Sequence, residues 1–274
     1  QGHGMNNTTR FIEASGNRYV LRIYETHRDA DKVLYEHRLL VALNQCDLHF
    51  NIPVPVATTN GETVVTTPNG KLAALYAYID GVTPSLQDPD SLRDFGKITA
   101  ELSNALAKVQ LDHQPIYQPY YELENTYPSL GREQLLSFCA KPPEAFAAEE
   151  LRSALNAIGE KADSFFRELT KLRELPHQLI HGDLNASNML MDSRGKLIAI
   201  LDFEFVAWDL RVMEVAVCLS DLIRFDEPQP LVHNKIEAFL SGYTSRASLS
   251  ADERLVLPTL LLLRRMDVFL HFLT

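Results

Sequence analysis

One stretch constrains the fold of this 274-residue chain more than any other. It reads His181-Gly182-Asp183-Leu184-Asn185-Ala186-Ser187-Asn188, continues through Met189-Leu190-Met191, and reverses over Asp192-Ser193-Arg194-Gly195. It then returns along Leu197-Ile198-Ala199-Ile200-Leu201 to Asp202-Phe203-Glu204. Two apolar runs around a glycine-bearing turn predict a hairpin, with strands near 188–192 and 196–201. The hairpin brings Asn188 and Asp202 to neighbouring strand ends. An amide and a carboxylate there supply the hard oxygen ligands that Mg²⁺ prefers, with water and phosphate oxygens completing its shell. Asp183, five residues before the Asn, is placed to accept or orient a substrate hydroxyl proton. Magnesium-assisted phosphoryl transfer uses this set of groups.

The chain around this stretch changes character once. Up to about residue 80 it reads as strand-rich: 11–12 and 18–24 flank the turn Ser15-Gly16-Asn17, and further strands are expected near 54–58, 62–67 and 72–79. Residues 29–43 read as a helix with an apolar stripe of Val33, Leu34, His37, Leu40 and Val41, and Glu36 at its edge. After Asp80-Gly81 the pattern turns helical, near 89–110, 147–174, 210–224, 231–244 and 251–272. Residues 112–146, rich in Pro and Tyr, read as an irregular insertion over the substrate site. The expectation is an α+β protein with a small β-rich lobe over 1–80 and a larger α-helical lobe over 81–274, the cleft lying between them.

Charge and cysteine usage exclude several classes. With 26 basic and 36 acidic side chains the net charge is −10, and no Lys/Arg-rich block is present, which argues against nucleic-acid binding. Three cysteines, Cys46, Cys139 and Cys218, are odd in number and widely spaced, which argues for a reducing, cytoplasmic setting and against a disulfide framework or zinc site. No run reaches the ~20 apolar residues of a membrane span. The richest, 255–263, contains Pro258 and is followed by Arg264 and Arg265. Both ends read as cut, since the chain starts without Met and stops within a helical apolar pattern.

His-Gly-Asp-x4-Asn followed by Asp-Phe-Glu resembles the signature of the aminoglycoside phosphotransferase-like, or choline kinase-like, small-molecule kinases. The resemblance implies a protein-kinase-like two-lobe fold with ATP and Mg²⁺ as cofactors. It makes Asp183 the catalytic base, His181 a brace of its loop, Asn188 and Asp202 the metal ligands, and Leu190 the apolar floor beneath adenine. Val20-Leu21-Arg22-Ile23 occupies the strand that grips the nucleotide phosphates, with Val20 against the base, Arg22 in place of the usual Lys, and Glu36 as the partner of Arg22. Tyr76-Ala77-Tyr78-Ile79-Asp80-Gly81 resembles the hinge, with adenine held at Tyr78 and Ile79. Gly4-Met5-Asn6-Asn7-Thr8-Thr9 resembles the phosphate loop of the homoserine kinase branch, with Asn7 and Thr8 on the phosphates. Trp208-Asp209-Leu210-Arg211-Val212-Met213-Glu214 resembles a further family segment but lacks its Pro and has Glu for Asp. There Glu204 and Asp209 are candidates for substrate contact, with loop support as the alternative.

The expected partner is a small-molecule alcohol of a kind that often carries an amine, with homoserine first. Choline, ethanolamine, hydroxylysine and aminoglycosides stay open. A protein kinase is disfavoured by the absence of a glycine-rich loop and of an Ala-Pro-Glu segment after Asp202. An inactive nucleotide-binding protein of the same fold is disfavoured by the intact Asp183, Asn188 and Asp202.

Overall fold

The computed structural model describes residues 2–3, 7–25, 30–224 and 226–273. It begins with a five-stranded antiparallel sheet of β1 (Gly2–His3), β2 (Asn7–Ala14), β3 (Asn17–Tyr24), β4 (Val65–Thr66) and β5 (Leu72–Ala77), in the order β1-β2-β3-β5-β4. Ser15 and Gly16, both at positive φ, close the β2–β3 hairpin. The register sets Arg22 between Thr9 and Ala74. No strand forms at 54–58, where only Pro55 bridges to Tyr76. Pro53 and Pro55 have no N–H to donate, so a ladder cannot be sustained there.

Helix α1 (Ala30–Leu43) buries Val33, Tyr35, Glu36, His37, Leu39, Leu40 and Leu43, while Val41 is exposed. The buried face is therefore rotated from the apolar stripe, and Glu36 lies within it. Polar partners beneath the helix explain the rotation. His37 contacts Thr63 Oγ1 and Tyr76 Oη, each at 2.8 Å, and Tyr76 Oη meets Tyr24 Oη at 2.9 Å. Polar groups such as His37, satisfied by partners on other elements, join the buried face without adding to its hydrophobic periodicity.

The helical region is built around α2 (Pro89–Leu106), whose start is fixed locally. Asp88 accepts the N–H groups of Asp90 and Ser91, and Pro89 occupies the first turn, where no donor is needed. It crosses α7 (Gln229–Thr244) at backbone contact: a Cβ on Gly96 would lie 2.0 Å from the Phe239 carbonyl oxygen, and one on Gly242 1.9 Å from that of Arg93. Around this pair lie α3 (Leu123–Thr126), α4 (Arg132–Ala140), α5 (Glu149–Leu169), α6 (Met213–Leu222) and α8 (Ala251–Leu273). The 112–146 segment thus contains two short helices. Pro258 does not end α8. Among the described residues no helix is long and apolar enough to cross a membrane.

Two small sheets complete the region. Strands β7 (Met189–Met191) and β8 (Leu197–Ile200) form the expected hairpin. Strand β6 (His177–Ile180) pairs with β9 (Ala207–Leu210), and the helix expected from residue 210 starts only at Met213. The signal was a single alternation, with Trp208 exposed between buried neighbours. Asn51 exchanges backbone hydrogen bonds with Ile198 (2.8 Å) and Ile200 (3.0 Å), and Val82 pairs with Met191. These contacts dock the strand-rich region on the β7–β8 hairpin and set Asp202 opposite Arg22.

Candidate active site

The loop between β6 and β7 is shaped by its own side chains. Gly182 has φ +81°, and a Cβ there would lie 2.7 Å from the Phe205 carbonyl oxygen, so both conformation and space require glycine. Asn185 Oδ1 accepts from the Ser187 N–H (2.9 Å) and hydroxyl (2.6 Å), closing a tight turn before Asn188. His181 is fully buried. One ring nitrogen faces the Leu201 carbonyl at 3.0 Å, the other takes the Asp183 N–H at 3.2 Å, and the ring packs on buried Phe203 with centroids 4.6 Å apart. Burial lowers its pKa, so it stands as a neutral tie between the loop and the Asp202 strand end.

Asp183 is only partly covered. Its Oδ2 accepts from Asn188 Nδ2 at 3.0 Å, and the same amide donates to the Asp183 carbonyl at 2.8 Å. Burial raises the Asp183 pKa, against the pull of Arg264. With both Asn188 protons used, its Oδ1 is left as an acceptor. Leu201 N–H bonds the Asn188 carbonyl at 2.8 Å, so Asn188 and Asp202 stand side by side. Asp202 holds φ +62°, a conformation Asp tolerates better than most residues, and its carboxylate is half-exposed. Among the described residues no three His, Cys, Asp or Glu side chains cluster as a metal cage. An ion at this pair would therefore draw its other ligands from water and phosphate, which suits Mg²⁺.

Across the cleft, Arg22 Nη1 lies 3.6 Å from Glu36 Oε1 and 3.4 Å from Asp202 Oδ1. Burial opposes the Arg22 charge, but Glu36 and Asp202 outweigh it and raise the pKa above its usual value. Burial pushes Glu36 up to about 7, against the pull of Arg22. Lys32, on the same helix as Glu36, lies over the Tyr117 ring at 4.7 Å.

A cavity of about 340 Å³ adjoins this pair, lined by Thr9, Phe11, Val20, Tyr78, Ile79 and Leu190, with Arg22 and Asp202 at its polar end. Gly81 admits Leu190 closely, since a Cβ there would lie 2.9 Å from Leu190 Cβ. Two expectations change. The Tyr78 N–H is spent on the Arg18 carbonyl at 3.0 Å, extending the β3–β5 ladder, so a purine contact of the Tyr78 backbone would fall to its carbonyl; no backbone carbonyl among the described residues takes the Ile79 N–H. Thr8 sits within β2 with its hydroxyl on Glu25 at 2.9 Å, and its neighbour Thr9 is the residue that lines the cavity, as strand alternation demands. Gly4, Met5 and Asn6, and the side chain of Asn7, lie outside the described residues.

A third correction concerns Asp209. It is fully buried and accepts the N–H groups of Tyr120 and Leu210, each at 2.6 Å. Burial raises its pKa to about 7. It braces the 117–122 segment against β9 and cannot meet a ligand. Glu214 is also fully buried, with Oε2 on the His181 N–H, the Gly182 N–H close by and no hydrogen-bond partner for Oε1 among the described residues; burial pushes its pKa up to about 7. Glu204 is half-buried, close enough to Glu36 and Tyr117 to raise the pKa of each.

The motifs missed the residue nearest to Asp183. Arg264, on α8, places Nη2 2.7 Å from Asp183 Oδ1 and Nη1 3.0 Å from Tyr120 Oη and 3.1 Å from Asp267 Oδ2. Tyr120 Oη in turn donates to the Gly182 carbonyl at 2.6 Å. The available sequence signal was an arginine interrupting an apolar helical run.

The sequence pattern of the phosphotransferase enzyme family matches residues 2–249. The chain belongs to that family. This phosphotransferase is a small-molecule kinase with an α+β, protein-kinase-like fold. It is similar to the homoserine kinase of Rhodopseudomonas palustris, with 29% identity over 263 residues covering 94% of this chain and 72% of that protein. The homoserine kinase of Caulobacter vibrioides shares 27% over 262 residues, covering 94% and 75%. Among solved structures, an amicoumacin kinase in complex with AMP-PNP, Ca²⁺ and Ami superposes with a TM-score of 0.74 at 20% identity, over 98% of this chain and 78% of that one. A microcompartment-associated aminopropanol kinase gives 0.70 at 20% identity, over 97% and 83%.

Proposed function

We propose that this phosphotransferase moves the γ-phosphoryl group of ATP to the hydroxyl of homoserine or a similar amino alcohol, with Mg²⁺ as cofactor. The observation that carries the reading is the Asp183 carboxylate, partly open to solvent and bonded to Asn188, with Asp202 meeting the Arg22–Glu36 pair across the cleft. Homoserine as acceptor is supported by the curated relatives, which are homoserine kinases over most of this chain.

In this reading residues 1–80 clamp the nucleotide and 81–274 hold the acceptor. Val20 and Leu190 sandwich the adenine, Ile79 N–H hydrogen-bonds its edge, and Arg22, oriented by Glu36, contacts phosphate. Asn188 Oδ1 and the Asp202 carboxylate would hold Mg²⁺, which when bound neutralises charge on the phosphates. Asp183 orients the acceptor hydroxyl and takes its proton as the new O–P bond forms and the bond to the β-phosphate oxygen breaks, releasing ADP. His181 keeps the loop in register. The three free cysteines suit a cytoplasmic enzyme.

The test is a phosphoryl-transfer screen with ATP and Mg²⁺ over homoserine, choline, ethanolamine, hydroxylysine, methylthioribose and aminoglycosides. Turnover of homoserine is expected. ATP binding without turnover of any alcohol would instead identify an inactive nucleotide-binding protein.

A further inference from the structure

Helix α8 is aimed before it reaches the site. Ser250 and Glu253 form a reciprocal cap, Glu253 N–H to Ser250 Oγ at 3.1 Å and Ser250 N–H to Glu253 Oε2 at 2.7 Å. Arg211 grips the same buried carboxylate with Nε at 3.0 Å and Nη2 at 2.6 Å. Arg264 lies eleven residues on, about three helical turns, and so on the same face as Glu253. Its guanidinium reaches the cleft in a fixed position, stacked near the Tyr120 ring at 5.4 Å.

Three hydrogen bonds, to Asp183, Tyr120 and Asp267, use three of its five N–H groups. Its side chain is 19% exposed, and Nε and the second Nη2 proton make no hydrogen bond among the described residues. The neighbouring carboxylates do not depend on it alone: Asp183 Oδ2 has the Asn188 amide, and Asp267 Oδ1 has the Tyr127 hydroxyl at 2.9 Å. An arginine fork with spare donors beside the expected seat of the acceptor hydroxyl matches a carboxylate. A simple amino alcohol would leave those donors unmet.

We propose that Arg264 is a specificity-determining residue of the acceptor site and that it binds a carboxylate of the acceptor. The substrates are then hydroxy acids, hydroxy amino acids foremost, in preference to amino alcohols. The inference rests on the phosphotransfer reading above and narrows its substrate class.

L-Homoserine and 3-aminopropan-1-ol differ by the carboxylate, and 4-hydroxybutyrate keeps the carboxylate without the amine. Steady-state kinetics with the first two, in wild type, Arg264→Gln and Arg264→Lys, test the assignment. Wild type should favour homoserine by roughly 10²-fold or more in kcat/KM. Arg264→Gln should shrink that ratio at least tenfold, mainly through the KM for homoserine, and Arg264→Lys should restore part of it. An equal fall for both acceptors with KM unchanged would make Arg264 a support for Asp183 only, and equal use of both by wild type would also overturn the proposal. Calorimetry with Mg²⁺ and AMP-PNP separates this from the function itself. If no alcohol is phosphorylated, the phosphotransfer reading fails, yet homoserine and 4-hydroxybutyrate binding to wild type and not to Arg264→Gln still upholds the carboxylate site. No binding to wild type, or equal binding to both proteins, rejects it.

Discussion

Two arginines reach the candidate site from opposite regions, and they are held differently. Arg22, on a strand, stands between two carboxylates at 3.4 and 3.6 Å and is close-bonded to neither. Arg264, on a helix, is seated at 2.7 Å on Asp183 with two further bonds near 3 Å. A loosely shared cation can turn toward an incoming phosphate at little cost, whereas a fixed one acts as a template against which ligands are matched. On the proposed reading, the strand-rich side would adapt to its ligand and the helical side would discriminate.

The largest test of this contrast removes the group the helical side is built around. Asp183→Ala should lower kcat by roughly 10²–10⁴ with ATP affinity near that of wild type; unchanged turnover would remove Asp183 from the chemistry. Asp202→Ala strips the other carboxylate and should abolish Mg²⁺-dependent nucleotide binding by calorimetry, while normal Mg-ATP affinity would contradict a metal role. Arg22→Ala deletes the adaptable cation. The KM for ATP should rise roughly 10–100-fold, the scale of one lost charge-assisted hydrogen bond, with the acceptor KM little changed. A rise confined to the acceptor would erase the difference between the two arginines.

The smallest effect concerns the support beneath the helical side. The Glu214 carboxyl is pushed from 4.5 to about 7 in the folded protein, so the folded state holds its proton more tightly than the unfolded state. Its contribution to stability is full below about 4.5 and is lost as pH rises through about 7. Melting temperature should fall between pH 5 and pH 8 more in wild type than in Glu214→Gln, which keeps an oxygen for the His181 N–H and places its amide at the unpartnered Oε1 position. Parallel slopes would count against this account.

Much of the site was legible because its parts are local. The turn chemistry of 192–195 and the apolar runs around it fix the hairpin, and strand alternation puts Val20 and Arg22 on one face. What escaped depends on distance along the chain. The inward turn of Asp209 follows from β9, a four-residue strand whose partner lies thirty residues earlier. Glu36 looked marginal because its buried neighbours include Tyr24, His37 and Tyr76, polar groups satisfied only across three elements. The Tyr78 amide looked free because its partner, Arg18, is set by sheet register. Arg264 showed locally only as an arginine interrupting an apolar run, and its partner Asp183 lies 81 residues away.

The order in which these parts are made gives the seat of Arg264 a consequence for assembly. Tyr120 is made first, then Asp183 and Asp209, and Arg264 after all of them. A nascent chain that has emerged as far as residue 250 already carries every motif residue of the site, yet the hydroxyl of Tyr120 and the carboxylate of Asp183 still lack the guanidinium that joins them. The tie between Tyr120 and Asp183 through Arg264 therefore forms only after α8 has emerged.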